Sequence, residues 1–139
     1  MDFTQGLEEA LRRHFSFSSF RPGQKEVIKT VLEGGDVLAV MPTGSGKSLC
    51  YQLPALLLPG LTLVISPLVA LMKDQVDNLH DRKMFQATLL NSQLGLDEQR
   101  LRMQGIRGGR YKLIYVAPER LRNRYFLELF TDLGLDLLV

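Results

Sequence analysis

The chain has 139 residues, 45% of them hydrophobic and 23% charged, the usage of an ordinary globular domain and not of a disordered or fibrous chain. Seventeen Lys and Arg against fifteen Asp and Glu leave a formal charge of +2, so no overall field is available to hold nucleic acid and any such contact must be local. The one cysteine, Cys50, excludes an internal disulfide and a multi-cysteine zinc site, and with no secretory signal at the N-terminus it points to a cytosolic chain. In chain order, an amphipathic helix is predicted from Thr4, its N-cap, to Phe15, with Leu7, Leu11 and Phe15 at four-residue spacing. A loop through Arg21-Pro22-Gly23-Gln24 leads into a second helix carrying Val27, Ile28, Val31 and Leu32 on one face, stopped at Gly34-Gly35. Asp36 to Met41 reads as a short strand that ends in the small-residue loop Pro42 to Ser48.

Strands then alternate with helices. Leu61 to Ser66 reads as a strand, Val69 to Leu79 as a helix, Phe85 to Leu90 as a weaker strand and Asp97 to Ile106 as a helix closed by Gly108-Gly109. Lys112 to Val116 reads as a strand, Asn123 to Leu133 as a helix ending at Gly134, and Leu135 to Val139 as the start of another strand. This alternation implies an α/β fold, with right-handed crossovers and a parallel sheet flanked by helices on both faces. No repeat, low-complexity segment or interdomain linker is visible.

From Ser48 to Met72 no residue is charged, and a spanning helix needs only about 20 apolar residues. Pro59-Gly60 and Ser66-Pro67 would break such a helix twice, and Leu61 to Ile65 reads as a strand buried on both faces. The run is therefore taken as core, with no membrane partner.

The chemistry lies in the loop after the first strand. Successive amides of Gly44, Ser45 and Gly46, running into a helix N-terminus, would form an anion cradle in which the helix dipole adds positive potential. Lys47 would reach the β and γ phosphates of a nucleotide and the Ser48 hydroxyl would ligate Mg²⁺. Met41 stands where the strict GxxxxGK pattern has its first glycine. The alternative is a glycine-rich turn with a solvated lysine. His14 and His80 lack partners at ligand spacing and read as surface residues, and Cys50 reads as a small buried hydrophobe.

Four ordered segments, Phe20 to Gln24, Met41 to Ala55, Ser66 to Gln75 and Ala117 to Leu121, closely resemble the RecQ family of ATP-dependent DNA helicases of superfamily 2. The likeness spans nearly the whole chain and includes Met41. It implies a RecA-like P-loop motor domain, incomplete at its C-terminus. Residues 1–139 would be the N-terminal portion of the first motor domain and 1–34 a helical adenine-recognition segment within it. The resemblance implies ATP and Mg²⁺ as ligands, with Thr43, Gly44, Ser45, Gly46, Lys47 and Ser48 as the phosphate loop. It also places Gln24 as the adenine-reading glutamine, with Arg21 and Phe17 stacking on the base. Single-stranded and partly duplex DNA would be the partner, gripped by Ser66 and Lys73, with Asn91, Ser92 and Arg120 as further contacts. For Lys73 and Arg120 a solvated charge at a helix start is the competing reading.

An ATPase of this kind needs an acidic pair after a hydrophobic strand. Neither Ser66-Pro67 nor Ala117-Pro118 supplies one, and in the resembling family the Asp-Glu-Ala-His motif would begin just beyond Leu135 to Val139. The family's second motor domain, zinc-binding region and winged helix are also not in these residues, so the fragment is expected to bind ATP without turnover. The alternative is a stand-alone non-catalytic nucleotide- or DNA-binding module.

Overall fold

Leu7, Leu11 and Phe15, spaced to fall on one face, are all buried along α1 (Leu7–Phe15) in a computed structural model that describes residues 6–42 and 44–139. The helix begins after Gly6, whose φ of 78° only glycine adopts without strain; Thr4, expected as the cap, lies outside the described residues. Helix α2 (Gln24–Leu32) buries Gln24, Ile28 and Leu32 at four-residue steps and ends before Gly34, where Gly35 N–H donates to Thr30 O at 2.9 Å. Helix α3 (Leu49–Leu57) is apolar on most of its circumference, as a helix in contact with both α1 and α2 must be. These elements belong to one unit, Met1–Leu58.

The second unit, Pro59–Val139, holds the sheet. Its elements alternate as the sequence predicts, with ends within a few residues of the expected ones: β1 (Leu61–Ile65), α4 (Val69–Asp81), β2 (Ala87–Leu90), α5 (Leu96–Arg107), β3 (Leu113–Val116), a 3₁₀ turn (Pro118–Arg122), α6 (Arg124–Leu133) and β4 (Leu135–Leu138). The order is β2-β3-β1-β4 and every pairing is parallel. Register runs Thr62 to Leu113 and Ile65 to Val116 between β1 and β3, and Ala87 to Leu113 between β2 and β3. The core gathers Leu63, Leu90, Ile106, Ile114, Phe126 and Leu129. Asn123 caps α6, its Oδ1 accepting from Phe126 N–H at 3.1 Å.

Two expectations are corrected. Asp36 to Met41 forms no strand: it has no ladder partner among the described residues, and Leu38 and Val40 are 92% and 89% exposed. An apolar, β-branched run marks a segment that suits a sheet, but only a neighbouring strand can satisfy its amides. His80, expected at the surface, is half-buried and its Nε2–H donates to Ala87 O at 2.8 Å. Gln86 O accepts from Lys112 N–H, so the carbonyls of Ala87 and Leu89 point to the free edge of β2. There Arg102 covers the second, donating to Leu89 O at 3.0 Å. Both side chains blunt an edge that would otherwise offer itself to another strand.

Among the described residues no helix is long and apolar enough to cross a membrane. The uncharged run is instead divided between α3, β1 and the start of α4. Thr62, fully buried in β1, has a hydroxyl with no hydrogen-bond partner among the described residues. Thr62→Val removes that orphan at nearly constant volume and should raise stability by about 1 kcal/mol. A urea unfolding midpoint equal to or below that of the parent would show that the hydroxyl is satisfied.

Candidate functional site

The phosphate loop is shaped by two glycines in the left-handed region, Gly44 at φ 80° and Gly46 at φ 82°. Between them Ser45 turns back on Pro42 O, to which its Oγ donates at 2.6 Å and its N–H at 3.2 Å. Lys47 is exposed and Ser48 half-buried where the loop enters α3; their carbonyls accept from Cys50 N–H and from Tyr51 and Gln52 N–H. The residues just before α3 thus bring an ammonium group and a hydroxyl to the positive end of the helix dipole. Thr43 lies outside the described residues. Cys50, the second residue of α3, is buried, and burial pushes its thiol up from the usual value, which keeps it protonated.

Gln24 and Arg21 meet this loop. Gln24 is 3% exposed; its Oε1 accepts from Arg21 N–H at 2.8 Å and its Nε2 donates to Gly46 O at 3.0 Å. The Arg21 guanidinium donates to Gly44 O at 2.6 Å. A side chain at position 46 would push aside the Gln24 amide, and the φ of 82° itself favours glycine there. Both residues assigned to the base therefore hold the backbone of the phosphate loop. Phe17 is 45% exposed in the loop between α1 and α2.

Beside Arg21 opens a cavity of about 590 Å³, lined by Pro22, Val27, Ala39, Val40, Met41 and Ser45, with Glu26 at its margin. Ala39 to Met41, which the sequence suggests as part of a short strand, line this cavity instead. Their apolar composition suits either role, and no local signal separates a strand from a cavity wall.

A second group lies at the carboxyl ends of the parallel strands. Ser66 follows β1, Asn91 and Ser92 follow β2, and the Ala117 to Arg120 turn follows β3, so the parallel ladder brings all three segments to one rim. Ser66 Oγ accepts from Leu68 N–H at 3.2 Å, and buried Asn91 uses its Oδ1 on Gln93 N–H at 2.9 Å. These side chains fix the turns, while Ser92 is exposed. Lys73, in the second turn of α4, is exposed and pairs with Asp77 at 2.6 Å, which holds its ammonium above the usual range. Arg120 is half-buried, donates to Gln99 Oε1 at 2.7 Å and lies 6.0 Å over the Phe126 ring. Burial lowers its pKa, but a guanidinium stays charged at any physiological pH.

Carboxylates are sparse here. Among the described residues no three His, Cys, Asp or Glu side chains gather to hold a metal ion. Asp136 in β4 accepts from Gly60 N–H at 2.6 Å, at the amino end of β1 and so at the edge of the sheet opposite the rim. Glu119 is exposed on the 3₁₀ turn. Among the described residues of the loop the side-chain hydroxyls are Ser45, whose Oγ donates to Pro42 O, and Ser48.

Comparison with known proteins places these features. The DEAD/DEAH box helicase family matches residues 21–137. The chain is 43% identical over 133 residues to the probable ATP-dependent DNA helicase RecS of Bacillus subtilis, covering 96% of this chain and 26% of that protein. It is 50% identical to the ATP-dependent DNA helicase RecQ of Haemophilus influenzae, covering 87% of this chain and 19% of the other. The RecQ helicase of Synechocystis is 51% identical, with 84% and 24% covered. The chain thus spans about a fifth to a quarter of the length of these relatives. In three dimensions it is similar to a hypothetical ATP-dependent RNA helicase from Sulfolobus tokodaii, with a TM-score of 0.70 over 93% of this chain and 38% of that one. At 23% identity that likeness shows the fold alone.

The packing of Gln24 on Gly46 can be tested directly. Gly46→Ala combines an unfavourable φ with a collision against the Gln24 amide and should cost roughly 1–3 kcal/mol. The loss is read in the urea unfolding midpoint; an unchanged midpoint would mean that the loop adopts another path at no cost.

Proposed function

Because this chain belongs to the DEAD/DEAH box helicase family and its close relatives are RecQ DNA helicases, we propose that it forms the ATP-binding N-terminal part of the first motor domain of a RecQ-type, 3′-to-5′ DNA helicase. The single observation that carries this reading is the junction of Gln24 and Arg21 with Gly44 and Gly46. A phosphate loop alone is common to many nucleotide enzymes, whereas a glutamine and an arginine anchored on its backbone belong with recognition of a base beside it.

In this reading the triphosphate lies along Gly44 to Lys47. Lys47 neutralises charge on the outer phosphates, the amides entering α3 cradle them, and Ser48 supplies one oxygen to Mg²⁺. The metal, when bound, offsets charge on the phosphates. Gln24 carries one donor and one acceptor, the pair that adenine's N7 and N6 amino group require. Each amide atom uses one of its two hydrogen-bonding positions on Arg21 N–H or Gly46 O, so the second can meet adenine while the loop stays held, which couples nucleotide entry to the loop. Phe17 and Arg21 offer stacking surfaces. Single-stranded DNA lies on the rim, with Ser66, Ser92 and Lys73 near its phosphates and with Asn91 and Arg120 holding the turns that present them.

Hydrolysis needs a carboxylate pair that neither Asp136 nor Glu119 supplies from its position, so we assign that pair, and the coupling of ATP turnover to strand separation, to residues other than these 139. Alone, the chain binds nucleotide without turning it over.

Lys47→Ala should weaken binding of a fluorescent ATP analogue about tenfold or more. Superimposable titration curves would remove the phosphate-loop assignment. Gln24→Ala should lower the ratio of GTP to ATP dissociation constants by roughly tenfold, since the site loses the groups that distinguish the bases; an unaltered ratio would take the adenine role from Gln24.

A further inference from the structure

A groove of about 620 Å³ runs between α5 and the segment from the 3₁₀ turn into α6. It follows α5 from Leu96 to Arg107, about 16 Å at 1.5 Å per residue. Its walls carry Arg100, Arg107 and Arg120, the apolar side chains of Leu96 and Met103, and Tyr125; no carboxylate lines it. Tyr125 is 76% exposed in the first turn of α6, whose core face is Phe126 and Leu129, so its ring is not used by the fold. Leu96 is 72% exposed at the start of α5. Two of the charges facing the groove are weakly engaged, Arg100 4.0 Å from Asp97 and Arg107 3.8 Å from Asp132, both pairs well exposed, whereas Arg120 is bound to Gln99.

We propose that this groove is a second binding track for single-stranded DNA, in which a base stacks on Tyr125 while Arg100 and Arg107 meet the flanking phosphates. It rests on the DNA-binding reading above, and extends it to residues that carry no motif. Charge, shape and continuity support it. A wall whose two loosely paired guanidinium groups, Arg100 and Arg107, face no lining acid attracts a polyanion, and an exposed aromatic near apolar neighbours is a stacking platform for any base. The groove also opens at the rim: α5 follows the turn at Asn91, and Arg120 belongs both to the β3 turn and to the groove wall. A strand leaving the carboxyl ends of β2 and β3 would pass directly onto Tyr125.

The test is fluorescence anisotropy of a labelled oligothymidylate with the 139-residue chain, over a range of salt concentration. Tyr125→Ala should weaken binding about tenfold and Tyr125→Phe should restore it, because stacking needs the ring and not the hydroxyl. Arg100→Gln should reduce the slope of affinity against salt by about one phosphate contact. Both positions are exposed, so the fold is kept, as circular dichroism would verify. If Lys73→Ala weakens binding while Tyr125→Ala and Arg100→Gln do not, the groove is not a DNA track and the rim alone binds. If no variant and no parent chain binds the oligonucleotide, both readings fall. If polyglutamate displaces the oligonucleotide equally well at matched charge, the groove takes acidic chains in general and the stacking role is overturned.

Discussion

Parallel pairing of β1 with β3 is the constraint on which the second unit depends. A parallel ladder forces each connection to return by a crossover, so α4, α5 and α6 are laid against the sheet and every strand ends at the same edge. Ser66, Asn91 and Arg120 are separated by tens of residues in the chain, yet the register that sets Ile65 opposite Val116 and Leu90 opposite Val116 brings their turns together. Hydrogen bonds from Ser66 and Asn91 to their own turns then hold each segment in place. The rim is therefore a product of strand direction first and of side-chain chemistry second.

In the first unit the equivalent constraint is the grip of α2 on the phosphate loop. A loop of small residues has many conformations, and glycines make it costly to order. Gln24 and Arg21 reduce that freedom by holding the carbonyls of Gly46 and Gly44 from outside. The same glycines are what make the grip possible, since a side chain at position 46 would displace the amide. In the proposed function, the same pair would link recognition of a nucleotide to the shape of the loop it holds.

The sheet ends at β2 on one side and at β4 on the other, and the protection of the β2 edge comes from residues that carry no catalytic signal. His80 and Arg102 approach from different helices and cover alternate carbonyls of one strand. The period of two along a strand makes this pairing possible, and it also explains why the intervening carbonyls remain with β3. Arg120 acts similarly inside the rim, joining the turn after β3 to Gln99 of α5. Charged groups here serve the architecture of the rim and of the sheet edge.

Helices and buried strands were legible in the residues because their periods are local: Leu7, Leu11 and Phe15 report a helix face, and Leu113 to Val116 a strand covered on both sides. The phosphate loop was legible for a similar reason, since Gly44 to Ser48 must be consecutive to form a cradle. What the tertiary structure alone decided depends on partners distant in sequence. Asp36 to Met41 has the composition of a strand but no neighbour to complete it, His80 has the composition of a surface residue but meets the free edge of β2, and Gln24 has both amide atoms committed to Arg21 and Gly46. Periodicity determines what a segment can bury, whereas hydrogen bonds between remote segments are satisfied or left open only when the chain has folded.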